Sequence, residues 1–576
     1  MEDSANTVDD NPSPGQLPNG GPVARLPAEL LIHIFSFVSD TSISISPVKP
    51  NYLQLGLVVV MHVCRNWREL ALKTPNLWRE IDANSEGGES PLKEQLLLFQ
   101  PSISWTVSSQ LPSPQVALLS QYTSHLKKLR IIDSDPRDHT GEFIEEVLTQ
   151  PAPLLEELEL SLHASRRDGD LKALPSDLFA GQIPHLRRLI IRMDRVPWLL
   201  PCISSLTELI INVNTRMNPS DFDSAFNPKY PSTESMLYEA LCHMQSLRKL
   251  ILVGGLPVPP LSSTPRMRGV AEMPHLELLH LSGEATVCDP VEGYIKRPAT
   301  CELRLRCLLK PTARIQDVDF LLPILNGFSP LAEYVIHVHS FTTNSVCLSL
   351  VESSADQYRE IAVHNAEWYR PGSTPHACIE VKCRAGDDGP PGWRPFPAFK
   401  KLLGAIPLAQ VHTLAFNEVN TGTHRSWMSI SAMFPSVQHL HVTRRQLGVL
   451  IAAWSSEMCD RWAYLAEFAA EDVRVNPGLV SLSIVDVDLN HTLDFGMPLH
   501  KALLKALVER KNAGLPLNRL SLIGCQTDAA WVKEIEEVVP VSVVAKADTA
   551  AEDALVENRI LSRAHASDST EYSEHS

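Results

Sequence analysis

The chain has 576 residues, 44% of them hydrophobic and only 6% aromatic, with a formal net charge of −16. That length exceeds one ordinary compact domain, so the chain holds either several domains or one elongated array with ample apolar residues for a core. The acidic balance and scarce aromatics argue against a nucleic-acid partner, and no run of about eighteen apolar residues exists to cross a membrane.

Residues 1–24 are polar and acidic, with no basic start and no apolar core, and read as a disordered leader rather than a secretory signal. The pattern changes at Arg25. Pro27 suits a first helical turn, where its missing N–H leaves nothing unpaired. Leu26, Leu30, Ile34 and Phe37 follow at helical spacing and form one apolar stripe. A polar stretch over 39–52 reads as a loop. A second helix is predicted over about 55–72, with Val59, Val63, Trp67 and Leu70 on one packed face. Pro75 stops it, and Leu77 and Trp78 are expected to fold back on the unit.

Cys64 stands beside Arg65, and a neighbouring cation lowers a thiol pKa. No base or metal partner accompanies the pair, so Cys64 is read as a packed thiol. The unit, residues 25–82, has more apolar residues than so small a core absorbs. A partner covering the surplus is expected to supply part of its stability.

Beyond it one phrase returns: apolar residues at its first, fourth and sixth positions. It stands at Leu126, Leu129, Ile131; Leu155, Leu158, Leu160; Leu186, Leu189, Ile191; and Leu206, Leu209, Ile211. It returns at Leu247, Leu250, Leu252 and at Leu276, Leu279, Leu281, with a further strand near Leu303. Weaker copies begin at Leu331 and Val411, and late ones at Val437, Leu479 and Leu517. A lead-in precedes three of them: Ile183-Pro184, Met273-Pro274 and Phe434-Pro435. Met244 holds the same place without the proline.

Such repetition predicts an α/β solenoid over 83–540, an irregular horseshoe following the small helical module. Each phrase is a short strand with its three apolar positions inward. The proline marks the turn from the preceding helix. Segments 95–99 and 142–148 suit short helices on the convex side. Residues 345–405 fit poorly. Residues 377–383 read as a strand, and 384–396 as a surface insertion. Residues 541–576 read as a helix and then a flexible acidic tail.

A search for chemistry returns little. The 11 cysteines include no CxxC pair and suit a reducing compartment. Cys378 and Cys383 lack further ligands nearby, and His439 and His441 share one strand face and read as solvent-facing. Gly254-Gly255 belongs to no phosphate loop, and no HExxH or GxSxG is present. The Asn490-His491-Thr492 sequon is read as unused, since nothing marks the chain for secretion. No catalytic residue, cofactor or metal is expected.

The third, fifth and seventh phrase positions are expected to line the concave face. They include Lys128 and Arg130, then Glu157 and Glu159, Arg188 and Arg192, Glu208, and Lys249. Basic and acidic repeats alternate. Two readings stay open: the charges select a partner, with Arg188 and Arg192 able to accept phosphate, or they help adjacent strands pair.

The N-terminal unit carries Leu26-Pro27-Ala28-Glu29-Leu30-Leu31, then Ile34-Phe35, Val63-Cys64-Arg65-Asn66-Trp67 and Leu77-Trp78. In this order the motifs resemble the F-box, with a spacer at 39–52 longer than the family's. The likeness covers about 25–82. The whole chain looks like the F-box proteins of mushroom-forming fungi, in which a degenerate leucine-rich region follows the box.

The resemblance implies a non-catalytic substrate-recognition adaptor of an SCF-type (Skp1–cullin–F-box) ubiquitin ligase, acting in the cytoplasm or nucleus. Its partners would be a Skp1-like adaptor with its cullin complex, and a target protein held by the repeats. By motif position, Leu26, Pro27, Leu30, Leu31, Ile34 and Phe35 would meet the adaptor. Val63, Cys64, Trp67 and Trp78 would be shared between helix packing and that face. The alternative is a non-degradative interaction scaffold.

Overall fold

The computed structural model describes residues 26–40, 60, 63–74, 80–82, 103–108, 116–117, 120–132, 146–161, 177–192, 203–212, 234–254, 270–285, 288, 293–298, 300–309, 315–326, 334–341, 345–352, 377–383, 395–406, 408, 411–419, 433–455, 477–493 and 496–544. The leader, most of the 39–52 loop, segment 95–99, the Leu331 start of one weak repeat, most of the 384–396 insertion and the tail from 545 lie outside these residues. Segment 142–148 is described from Glu146, where Glu146 and Val147 are helical.

First come α1 (Ala28–Asp40) and α2 (Arg65–Leu72); Val60 and Val63 are helical as well, so the helix expected over 55–72 is interrupted at Cys64, whose backbone is extended. The Pro27 carbonyl opens α1, accepting from Leu30 N at 3.1 Å and Leu31 N at 3.2 Å. Cys64 is the N-cap of α2: its backbone is extended and its Sγ accepts from Trp67 N at 3.5 Å. That satisfies one of the amides a helix start leaves open.

The strands follow as β1 (Glu80–Asp82), β2 (Ile103–Ser108), β3 (Leu126–Ile132), β4 (Glu157–Ser161), β5 (Arg188–Arg192), β6 (Glu208–Asn212) and β7 (Lys249–Val253). Each pairs in parallel with the next. Two short strands, β8 (Ala271–Glu272) and β10 (Ile295–Lys296), form a separate parallel pair. The main sheet continues through β9 (Leu278–Glu284) to β11 (Glu302–Leu309).

There the order reverses. The next three strands are β12 (Tyr334–Phe341), β13 (Ser345–Glu352) and β14 (Ala377–Cys383). β14 lies parallel to β11, β13 runs antiparallel to both β14 and β12, and β12 pairs in parallel with β15 (Val411–Val419). Parallel pairing then carries the sheet through β16 (His439–Val442), β17 (Ser481–Val485), β18 (Arg519–Ile523) and β19 (Val541–Val544). Among the described residues the main sheet has 17 strands. The architecture is mixed α+β and largely parallel, consistent with a repeat-like solenoid.

Burial follows the phrase. From Leu126 to Leu281 the first, fourth and sixth positions of every copy are buried, and the copies beginning at Val411, Val437, Leu479 and Leu517 match them. The lead-in residues Ile183, Met244, Met273 and Phe434 are buried as well. Their carbonyls accept from the amide three residues on, as in Leu186 N to Ile183 O at 3.3 Å and Leu276 N to Met273 O at 3.2 Å. Pro184, Pro274 and Pro435 hold the second place of this turn, where the fixed φ of proline is already correct.

Helices cover the inward-facing row. They are α3 (Glu234–His243), α4 (Leu321–Asn326), α5 (Pro395–Gly404), α6 (Arg444–Trp454), α7 (Leu499–Asn512) and α8 (Ala529–Glu536). α7 shows the packing rule: Leu499, Ala502, Leu503, Ala506, Leu507 and Arg510 are buried at helical spacing. One continuous core runs from Val116 to Val539.

Two expectations change. The chain from 541 begins with β19, a final parallel strand seated on β18, where a helix was expected. The poorly fitting 345–405 region supplies β13, β14 and α5, and β14 has the bounds expected for the strand at 377–383. His441 is buried rather than solvent-facing, and His439 Nδ1 lies 2.7 Å from Ser481 Oγ.

Candidate docking site

Helix α1 carries two apolar stripes. Leu31 and Phe35, one turn apart, point into a small core with Val60 and Ala71, separate from that of the sheet. The Phe35 ring meets Trp67 edge-on, with centroids 5.1 Å apart at 60°. This contact ties α1 to α2. Leu26, Ile32, Trp67 and Leu70 pack around it, partly buried.

The second stripe is exposed. Leu30 is 50% exposed, Ile34 42% and Phe37 58%, with Val63 at 56% near the start of α2. Pro27 and Cys64 are also exposed. Large side chains this exposed on one small module form a surface that water solvates poorly. A polar rim adjoins it: Arg65 pairs with Glu69 at 3.0 Å, one turn along α2.

The ten residues selected from sequence therefore separate. Leu31 and Phe35 are internal, and Leu26 and Trp67 are intermediate. Pro27, Leu30, Ile34, Val63 and Cys64 lie at the surface. Trp78 is outside the described residues. The packed roles expected for Val63 and Cys64 are not what the structure shows; Cys64 caps instead. Phe37 was absent from the ten, although the spacing of Leu26, Leu30, Ile34 and Phe37 already placed it on this stripe.

Residues 23–84 match the F-box-like family. A match to this family supports a general role as a Skp1-binding adaptor, and the F-box-like module is non-catalytic. No curated protein matches the chain. Among solved structures, the chain is similar to the crystal structure of the leucine-rich repeat-containing protein LegL7 from Legionella pneumophila. The identity is 11%, the match covers 75% of this chain and 98% of that one, and the TM-score is 0.24. A likeness at that score carries no argument here.

Across strands β3 to β7 the sheet orders its charges. Parallel in-register pairing sets Lys128 beside Glu157, then Arg188, Glu208 and Lys249, one per strand from β3 to β7. Lys128 meets Glu157 at 2.8 Å, and Arg188 lies 3.6 Å from Glu157 and 3.3 Å from Glu208. Lys249 reaches Glu208 at 2.9 Å. A second row joins Glu159 to Arg130 at 3.1 Å and to Arg192. All eight residues named for the substrate face thus form ion pairs with one another.

Among the described residues no group of three or more His, Cys, Asp and Glu is placed to hold a metal ion. Burial pushes the thiols of Cys301 and Cys525 up to about 11, and raises Cys347 well above its usual value beside Cys378. Thiols so raised are not thiolates at neutral pH. Burial, helped by Arg304 and Arg306, lowers His280 to about 4. Among the described residues no helix is long and apolar enough to cross a membrane.

Proposed function

We propose that this chain is the substrate-recognition adaptor of an SCF-type ubiquitin ligase. Residues 25–82 dock on a Skp1-like adaptor and, through it, a cullin complex. The repeats over 83–540 curve into a horseshoe and hold a target protein. The chain acts inside the cell, where that machinery resides. The exposed stripe of Leu30, Ile34 and Phe37, with Val63 also exposed on the same F-box-like match, carries the reading. The chain performs no covalent step. It raises the effective concentration of a target lysine near a charged conjugating enzyme.

The test is a Leu30→Asp plus Ile34→Asp variant. It is expected to lose Skp1 in co-purification, to keep the repeat ligand, and to stabilise at least one cellular protein when it replaces the native chain. Failure of the native chain to bring down Skp1 would overturn the adaptor reading. Loss of Skp1 binding with no protein stabilised in the variant would favour a non-degradative scaffold.

A further inference from the structure

The two charge rows are unequal. Five cations, Lys128, Arg130, Arg188, Arg192 and Lys249, face three carboxylates, Glu157, Glu159 and Glu208. Each carboxylate is shared by two cations. The layering is unequal too. Arg130 is 51% exposed against 18% for Glu159, Lys249 is 44% against 26% for Glu208, and every other pair keeps that order. The carboxylates lie beneath and the cationic heads stand above them. Arg188, in the middle of the longer row, is shared by two carboxylates, and its Nε lies 3.3 Å from Glu208 without hydrogen-bond geometry. On a chain of net charge −16, a partner approaching this face meets positive charge.

We propose that this face docks an acidic segment of the target, held in polyproline II conformation with a carboxylate at every third residue. The inference rests on the receptor reading above. Lys128, Arg188 and Lys249 occupy alternate strands, β3, β5 and β7. Neighbouring strands lie about 4.8 Å apart, so these cations recur roughly every 9.6 Å across the sheet. A polyproline II peptide has three residues per turn and rises about 3.1 Å per residue, so one face repeats every ~9.3 Å. A β-strand laid the same way repeats a face every ~6.8 Å and falls out of step. A phosphate needs several donors converging on one point. Here the cations are spread along a line and tethered by their own carboxylates, which suits spaced single charges.

The experiment uses the full chain co-expressed with Skp1, and labelled twelve-residue peptides read by fluorescence anisotropy at low salt. The probe is a Glu-Pro-Ala repeat. The comparisons are the Gln-Pro-Ala repeat, a peptide of the probe's composition with its glutamates clustered, and Gln-Pro-Ala bearing one phosphoserine. The probe is expected to bind roughly tenfold tighter than the others, the effect of about three exposed charge pairs, and to weaken as salt rises. Arg188→Gln with Lys249→Gln is expected to remove that advantage, and Arg188→Lys to keep it. Equal binding of the glutamate and glutamine repeats overturns the proposal; so does equal binding of the clustered peptide, or preference for phosphoserine. These peptide comparisons need no variant to fold. Skp1 co-elution from the same preparation separates the two readings: retained Skp1 with no probe binding overturns this site alone, and absent Skp1 overturns the receptor reading.

Discussion

Replacing Leu30 and Ile34 with alanine separates docking from folding. Both side chains are about half exposed, so together they leave about one full side chain of apolar surface for a partner to cover, worth ~1.5–3 kcal/mol. Losing it should weaken Skp1 binding roughly ten- to a hundredfold, since about 1.4 kcal/mol is a factor of ten. Alanine favours helix, so the module itself should keep its stability. Phe35→Ala is the contrasting change. That ring is fully buried against Trp67, and its removal should cost about 3–5 kcal/mol of folding stability. Titration calorimetry with purified Skp1 measures the first effect, and thermal melts of the free chain the second. A double-alanine variant that binds within twofold of the native chain would show that the exposed stripe is not the docking face.

Cys64→Ala should destabilise α2 by about 0.5–1 kcal/mol through loss of its cap, and Cys64→Ser should hold or improve the melting temperature, because a hydroxyl caps better than a thiol. At neutral pH, Cys64 should alkylate in the folded chain while Cys301 and Cys525 stay protected until unfolding, as peptide mass spectrometry would show. His280 stays neutral in the fold down to about pH 4, whereas in the unfolded chain it takes a proton near its ordinary 6.5. Stability should therefore fall as pH drops from about 6.5 to 4, and His280→Gln should flatten that slope in denaturant titrations. Glu159→Gln leaves Arg130 and Arg192 without their shared carboxylate and should cost about 1 kcal/mol or less, a difference that shrinks in melts at high salt.

The repeat strands were legible because one rule governs them: the residues that pack are the first, fourth and sixth of each phrase, and an in-register parallel sheet conserves that count. The proline lead-ins were legible for the same reason, since a local turn needs only local residues. The β12–β14 reversal was not. Val338, Leu348 and Ile379 are all buried, and nothing local states which strand each one lies against. The docking module shows a different limit. Both stripes of α1 are apolar, so helical spacing groups Leu30 with Ile34, and Leu31 with Phe35, without saying which pair α2 covers. Cys64 was misread because capping depends on backbone direction at one residue, which hydrophobic patterning does not encode.

The alternation of sign along β3 to β7 also constrains how this array can change length. Excising β5 alone would bring Glu157 against Glu208, and excising β6 alone would bring Arg188 against Lys249, each a like-charge contact between adjacent strands. Excising β5 and β6 together sets Glu157 beside Lys249 and restores an unlike pair. Along this stretch, removal of two adjacent strands keeps unlike charges paired and removal of one does not, so the electrostatic unit of the array is the pair of strands.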